Sequence, residues 1–244
     1  MIQGIYTAAM GMTPLMQKQE QIANNLANIN TTGFKQSGLF TKTYQKYITN
    51  DQRQPFADIQ MKPDEVYIDY SEGPMKSTNN QLDFAIHGSG FFAIMTAEGE
   101  QYTRNGNFAV NPGGLLVTSD GSRVMSNDGY LRLDPHKQVT VTDKGAITQD
   151  GELRGYLKIV DFEKPYNMIR SGESRMRPLD PEAKPRASSG YAINQGYLEG
   201  SNVSIVKNMV GMISAYRMFE SDQKALHAQD ETLEKAVNQV GRLQ

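Results

Sequence analysis

Apolar side chains recur at alternating intervals of three and four residues along the last forty residues of the chain. No proline interrupts this pattern between about residue 202 and residue 242, and nine of its eleven positions are apolar. The eleven positions are Val206, Met209, Ile213, Tyr216, Phe219, Gln223, Leu226, Asp230, Leu233, Val237 and Val240. The spacing predicts one amphipathic helix of about 40 residues, roughly 60 Å long, with Ser201 or Asn202 as its N-cap.

A second stripe of the same kind lies at the other end of the chain, over residues 2 to 29. Seven of its eight positions are apolar, and the eight are Ile2, Ile5, Ala9, Met12, Met16, Gln19, Ala23 and Leu26. Pro14 lies inside this stretch and predicts a kink or a restart there, because proline removes a helical hydrogen bond. The helix is expected to end near Asn30, with Gly33 able to adopt the left-handed turn that follows.

Between the two ends the hydrophobic period changes from about 3.6 to two. Glycines at positions 99, 106, 113, 121 and 129 fall seven or eight residues apart. Short β-rich runs lie around them, and these are Phe91–Met95, Gln101–Arg104, Phe108–Val110, Leu115–Thr118 and Tyr130–Leu133. This spacing predicts an antiparallel all-β unit built of hairpins, and Tyr156–Phe162 is typical of a later, largely buried strand.

Two polar, proline-containing stretches separate these regions. The sequence therefore predicts an α+β chain: a discontinuous helical stem of residues 1–34 plus 201–244, with a coiled-coil character, and a β-rich domain of residues 66–162. Residues 35–65 are expected to form an extended connector. Residues 163–200, which contain four of the ten prolines, are expected to form an arm that returns to the stem.

Two helices paired with each other would still leave apolar side chains uncovered. Ile22 lies beside the first stripe, and Met212 and Met218 lie beside the second. Large exposed apolar stripes mark association surfaces. The pattern therefore indicates a β module carried on a helical stem that associates with further helices.

Composition excludes several classes of function. The apolar runs are far shorter than the roughly 20 residues that a membrane span needs, and a net charge of −2 without a basic block argues against nucleic acid as a partner. The absence of cysteine excludes disulfides and thiolate sites. The three histidines have no metal-ligand spacing, so no cofactor or metal is expected. The first residues lack the basic and continuously apolar segments of a secretory signal.

Several blocks of the sequence resemble the axial proteins of the bacterial flagellum, the rod and hook subunits. They are Gly4–Met12 (GIYTAAMGM), Ala23–Lys35 (ANNLANINTTGFK), Gly73–Phe92, Tyr102–Met125, Gly196–Val206 and Met209–Lys224. The blocks occur in the family's order and span nearly the whole chain. The beginning of the sequence and its length are most similar to the proximal-rod member, with the distal-rod member as the close alternative.

The resemblance implies a structural, non-catalytic subunit. In this family the terminal helices of many subunits pack into the inner tube of a helical assembly that transmits motor torque, and the β domains form an outer layer. The implied partners are other copies of the chain, neighbouring rod proteins, the flagellar export apparatus and the basal-body rings around the rod, with no small-molecule substrate. The implied location is the periplasmic rod of the basal body, reached without a cleaved signal peptide.

The stripes and the resemblance together predict a set of subunit-interface residues. Asn24, Asn25 and Asn28 have two interpretations, either fraying of the helix end or hydrogen bonding between subunits. The whole predicted set is Ile5, Met12, Ile22, Asn24, Asn25, Leu26, Asn28, Asn202, Val206, Met209, Ile213, Tyr216, Phe219, Leu226, Leu233 and Val237.

Two other classes of function compete with this interpretation. The run from His87 to Gly90 is faintly similar to the Gly-rich oxyanion loops of esterases, but a hydrolase also needs a Gly-x-Ser-x-Gly elbow, which the sequence lacks. A glycine-rich turn between two strands explains the run better. A coiled-coil adaptor or surface adhesin is the other alternative, and it would form a discrete dimer or trimer rather than open-ended filaments.

Overall fold

The computed structural model describes residues 2–45, 59–172, 174–180, 182–188 and 190–240. The chain divides into two compact units. A helical unit contains Met1–Ala27, Gln36–Asp69 and Ser204–Gln244, and a β-rich unit contains Asn28–Lys35 and Tyr70–Val203. Within the described residues, neither helix is long and apolar enough to cross a membrane.

Both predicted helices are present, as α1 (Ile2–Ala27) and α2 (Ile205–Val240). The predicted restart at Pro14 is wrong, because α1 continues through this residue. Proline removes one hydrogen-bond donor, and a helix of 26 residues keeps the other bonds around it. The predicted N-caps of α2 are also wrong: the cap is Ser204, whose carbonyl oxygen accepts a 3.0 Å bond from the Asn208 amide.

The two helices pack side by side in antiparallel directions. Gly11 of α1 lies against Asp222 of α2, and Gly211 of α2 lies against Ile22 of α1, where an added Cβ would be 3.4 Å from the Ile22 Cδ1 atom. Ala215 is completely buried on the same face of α2. Small residues therefore let the backbones of the two helices approach closely.

The helical unit also contains an antiparallel ribbon of two strands, β1 (Ser37–Gln45) and β2 (Ile59–Ile68). Residues 46–58 of the predicted connector lie outside the described residues. Proline at position 63, opposite Thr41, and a bulge at Leu39/Phe40 obscure the strand pattern in the sequence. The described parts of this stretch are strands that pair with each other instead of forming an isolated connector.

The β-rich unit is antiparallel throughout its described pairings. Its strands are β3 (Met75–Ser77), β4 (Phe84–Gly88), β5 (Phe91–Thr96), β6 (Gly99–Thr103), β7 (Phe108–Val110), β8 (Leu116–Thr118), β9 (Arg123–Ser126), β10 (Gly129–Tyr130), β11 (Val139–Val141), β12 (Ala146–Gln149), β13 (Glu152–Tyr156), β14 (Ile159–Asp161), β15 (Met168–Arg170), β16 (Arg175–Pro178), β17 (Arg186–Ala187), β18 (Tyr191–Gln195) and β19 (Tyr197–Glu199). The largest sheet runs in the order β15-β16-β6-β5-β9-β8-β7, with β10 on β9, and β14 pairs with both β5 and β17. Separate ladders join β11-β12-β13, β4-β18 and β3-β19.

Strand β5 is the centre of this unit because it is buried on both faces. Phe92 and Ile94 contribute to the main apolar core, and Phe91 contributes to a second, aromatic cluster on the other face. The members of the main core are Phe84, Ile86, Phe92, Ile94, Phe108, Leu116, Val124, Leu131, Leu133, Val139, Ile147, Leu157, Ile159 and Ile193. The predicted antiparallel β domain is therefore confirmed.

Residues 163–200 do not form the predicted extended arm. The stretch contains β15 to β19 and returns to the sheets, where β16 pairs with β6, β17 with β14 and β18 with β4. Prolines 165, 178 and 185 fall at the ends of short strands or between them. Proline is tolerated at such places, so its abundance does not exclude strands.

The aromatic cluster on the second face of β5 contains three tyrosines with raised pKa values. Burial raises the pKa of Tyr70 from 10.0 to about 12, and burial also raises the pKa of Tyr166 to about 12. Burial, followed by the neighbouring Glu100 carboxylate, raises the pKa of Tyr102 as well. The Tyr70 hydroxyl is buried and has no hydrogen-bond partner among the described residues.

The β-rich unit is expected to lose stability between pH 10 and pH 12. A tyrosine whose pKa is higher in the folded state favours folding fully below its unfolded value of about 10, and this contribution is lost as the pH rises through the folded value. The melting temperature, measured from pH 8 to pH 12, should fall between pH 10 and pH 12. The absorbance of ionised tyrosine should rise over the same interval. Tyr70→Phe removes one ionisable group and should make the fall shallower, and an equally steep fall would contradict the assignment of Tyr70.

Candidate assembly surface

Helix α2 has two faces that differ in exposure. Asn208 and Ala215 are buried on the face toward α1, whereas Val206 on the opposite side is 72% exposed. The outward residues of the first three turns are apolar and more than half exposed. They are Ile205, Val206, Met209, Val210, Ile213 and Tyr216. We call this set the apolar face of α2. Its contact with water costs free energy.

The apolar face ends abruptly along the helix. Arg217, Glu220 and Lys224 continue the same outward side, and the Lys224 Nζ atom forms an ion pair of 2.7 Å with a Glu220 carboxylate oxygen. Glu231 lies further along on this side and is exposed. The C-terminal half of α2 is therefore solvated where its N-terminal half is apolar.

A shallow groove extends the apolar face toward α1. Ala23 of α1 and Met212, Ile213 and Tyr216 of α2 supply its apolar lining. The polar or charged lining residues are Gln19, Glu20, Arg217 and Glu220. The groove has the form of an apolar strip bordered by polar groups, which is typical of a protein–protein contact surface.

Asn25 has a role inside the helical unit. Its side chain is 2% exposed, and its amide nitrogen donates 2.7 Å to the Ser37 carbonyl while its amide oxygen accepts 3.0 Å from the Ser37 amide. Asn208 on α2 is also buried, with its amide oxygen 3.5 Å from the Asn25 nitrogen. Asn25 thus joins α1, the first residue of β1 and α2 within one chain.

Replacing Asn25 with Ala should destabilise the helical unit by about 2–5 kcal/mol. The change leaves two buried backbone groups of Ser37 without their side-chain partners, at roughly 1–3 kcal/mol each, and the better helix propensity of Ala returns only about 0.5 kcal/mol. Urea unfolding followed by helical circular dichroism measures the effect. Lys18→Ala, on an exposed position of the same helix, should change the free energy of unfolding by less than about 0.5 kcal/mol.

The remaining predicted interface residues have mixed positions. Met12, Leu26, Phe219, Leu226 and Leu233 are half-buried, Ile22 is buried against α2, and Asn24 is exposed. Asn28 and Asn202 belong to the β-rich unit, where Asn28 accepts a bond from Thr31 and Asn202 donates to Ser71. The side chains of Ile5 and Val237 lie outside the described residues. The structure brings the predicted residues Val206, Met209, Ile213 and Tyr216 together on one face. Ile205 and Val210 lie on the same face but were not predicted, because the stripe takes only one residue per turn.

The glycine-rich run from His87 to Gly90 forms the predicted turn between two strands. Gly88 and Gly90 both have positive φ angles. The His87 side chain is exposed, and its Nδ1 atom lies 3.1 Å from a carboxylate oxygen of Glu72. The Ser89 carbonyl accepts a bond from the Ser188 hydroxyl, so the turn is fixed by contacts within the unit.

Three family profiles match the chain in succession. A profile described as flagella basal body rod protein matches residues 5–35, one described as flagellar hook protein FlgE/F/G D1 domain matches residues 85–153, and one described as flagellar basal body rod FlgEFG protein C-terminal matches residues 194–240. The first and last profiles cover most of α1 and all of α2, which include the apolar face.

Whole-length relatives show the same similarity. The chain is 32% identical to the flagellar basal-body rod protein FlgF of Caulobacter vibrioides over 98% of both chains. It is 30% identical to the flagellar basal-body rod protein FlgG of Bacillus subtilis, over 98% of this chain and 99% of that one. The flagellar hook-basal body complex protein FlhO of Bacillus subtilis is 26% identical over the full length of both. With its helices, its β-rich unit and its full length all matched, this chain belongs to the flagellar basal-body rod protein family.

Proposed function

We propose that this chain is a structural subunit of the flagellar basal-body rod and that it joins its neighbours through the apolar face of α2. The exposure of that face in a single chain is the observation that carries the proposal. Relatives with matching length are named as rod proteins, and the helical segments are among the matched regions.

The apolar face provides a driving force for association. Covering one large aliphatic side chain completely contributes about 1.5–3 kcal/mol, and six outward apolar residues are more than half exposed. Ordering two chains at a contact offsets part of this gain. In a helical assembly every subunit forms the contact again, so a modest surplus at each contact is repeated along the whole rod.

The predicted interface set is part of this proposal. Val206, Met209, Ile213 and Tyr216 supply its centre because they are exposed and adjacent on α2. We assign α1 and α2 to a coiled-coil stem. In the rod, the stems of many copies form the inner tube and transmit motor torque. No catalytic residue, metal or small-molecule substrate enters this function.

The location of the subunit follows from the same proposal. We assign the chain to the proximal segment of the periplasmic rod, with the distal segment as the alternative, because relatives named FlgF and FlgG both match over their whole lengths. Export through the flagellar apparatus and proximity to the basal-body rings complete the assignment.

Basal bodies isolated from cells with and without this chain test the proposed function. Cells that lack the chain should be non-motile, with basal bodies arrested before the rod is complete, and a tagged chain should restore them and be found in the rod. Complete rods in the deletion strain would contradict the proposal. Light scattering against concentration separates it from an adaptor, since the purified chain should form open-ended assemblies rather than a discrete dimer or trimer.

A further inference from the structure

Three charged side chains meet in the interior of the β-rich unit. Lys35, Arg104 and Glu199 are each at most 3% exposed. The Lys35 Nζ atom lies 2.5 Å from Glu199 Oε1, and Arg104 Nη1 lies 3.3 Å from Glu199 Oε2. The one carboxylate therefore binds a cation through each of its oxygens.

The same three side chains also bind the backbone of separate segments. Lys35 donates 2.7 Å to the Ser71 carbonyl, and Glu199 accepts 3.0 Å from the Gly73 amide. Arg104 donates to the carbonyls at the end of β4, at 3.2 Å from Ile86 and 2.7 Å from Gly88.

The segments that these side chains join are next to the places where the chain passes between its two units. Those passages fall at residues 27/28, 35/36, 69/70 and 203/204. The segment that ends at Lys35 also bonds directly to the one at Glu199, because the Gly33 amide donates 2.8 Å to the Glu199 carbonyl. Arg170 covers the first segment, with its guanidinium 4.1 Å from the centre of the Phe34 ring.

The charge of this cluster is unbalanced. Lys35 and Arg104 carry two positive charges, and Glu199 carries the single negative charge between them. Burial is the largest influence on Lys35 and lowers its pKa, against the opposing effect of the Glu199 carboxylate. The buried Arg104 Nε atom has no hydrogen-bond partner among the described residues. Glu199 is the carboxylate that both cations bind directly, so their compensation depends mainly on it.

We propose that Lys35, Arg104 and Glu199 form a clamp, centred on the Glu199 carboxylate, that holds closed the three segments at which the chain enters and leaves the β-rich unit. These segments are residues 33–35, 71–74 and 199–200. The clamp opens as one local unit, separately from the main apolar core. Loss of the anion opens it, because two buried cations are then uncompensated, whereas loss of Lys35 leaves a balanced pair.

Amide hydrogen exchange on the purified full-length chain tests the clamp. The reporters are the amides of Gly33 and Gly200, which donate to the Glu199 and Pro74 carbonyls. The core references are the amides of Leu133 and Leu157, which donate to Gly114 and Gly145. Glu199→Gln should accelerate exchange at the reporters about a hundredfold or more, since an uncompensated buried charge is strongly destabilising, and should change the references much less.

The test depends on how the variants rank in exchange rate at the reporter amides. Lys35→Met keeps the Arg104–Glu199 pair and should accelerate the reporters less than about tenfold. The double variant Lys35→Met/Glu199→Gln should exchange more slowly at the reporters than Glu199→Gln alone, because one of the two unpaired cations is gone. Should Glu199→Gln fail to fold, the double variant must restore folding.

Four outcomes would overturn the clamp. They are an unchanged reporter rate in Glu199→Gln, equal acceleration of reporters and references, a larger effect of Lys35→Met than of Glu199→Gln, and no rescue by the double variant. Glu152→Gln is the control, because this carboxylate forms an exposed ion pair with Arg154 in the same unit and should leave every reporter unchanged.

Discussion

Ile213→Asp is expected to leave the monomer folded and to abolish its incorporation into the rod. Ile213 is more than half exposed in a single chain, so a carboxylate at this position reaches water and changes the free energy of unfolding by less than about 1 kcal/mol. In a packed assembly the same carboxylate would be buried without a partner, at a cost of several kcal/mol in every subunit. Circular dichroism and urea unfolding test the monomer. Motility and the yield of complete rods test the assembly.

Ala228→Asp is the matched control for this prediction. Ala228 is exposed on the same helix, about four turns further along, beyond the charged residues that end the apolar face. The added carboxylate should remain solvated, and rods should form. Normal rods with Ile213→Asp would show that the apolar face is not the contact surface, and loss of rods with both variants would show that any added charge on α2 prevents assembly.

The helices could be predicted from the sequence, but the faces they present could not. The predicted stripe of α2 follows intervals of three and four residues, and such a repeat drifts by about 20° per heptad around a straight helix. Between Val206 and Leu233 the stripe takes five steps of three residues and three steps of four, so at 100° per residue the two positions lie on opposite sides of the helix. This is why Val206 is exposed while Leu233 is half-buried.

The β-rich unit was predictable in its local parts. Alternating apolar residues and turn glycines identified strands β5 to β8 to within a few residues. Their partners were not predictable, because β4 pairs with β18, and β3 pairs with β19, across more than a hundred residues of chain. A local pattern contains no information on such pairings, and short strands between prolines give too few residues to show a period of two.

The clamp could not be predicted from the sequence, for a different reason. Lys35 and Glu199 are 164 residues apart, and charged residues are almost never fully buried unless they are paired. Each one alone therefore predicts an exposed position. Only the fold, which brings Gly33 against the Glu199 carbonyl, shows that they compensate each other.

Gly106→Ala is expected to destabilise the β-rich unit by at least about 3 kcal/mol. The sequence identified Gly106 as a turn glycine, but the structure shows that it is required for space. A Cβ at this position would lie 1.7 Å from the Phe84 carbonyl oxygen and 3.2 Å from the Phe92 ring. Both neighbours are completely buried in the main core, so neither the backbone of β4 nor the ring has room to move.

The shift needed to accommodate Ala at position 106 would also break hydrogen bonds. The Phe84 amide donates 3.0 Å to the Gly106 carbonyl, and Asp83 and Asn107 form a bridge beside it. Urea unfolding followed by tyrosine signals measures the loss, since the chain contains no tryptophan. Gly113→Ala is the control: its nearest neighbour is the Asn111 side chain at 3.3 Å, and we expect a loss below about 1 kcal/mol. Equal stability of the two variants would contradict the requirement for glycine at position 106.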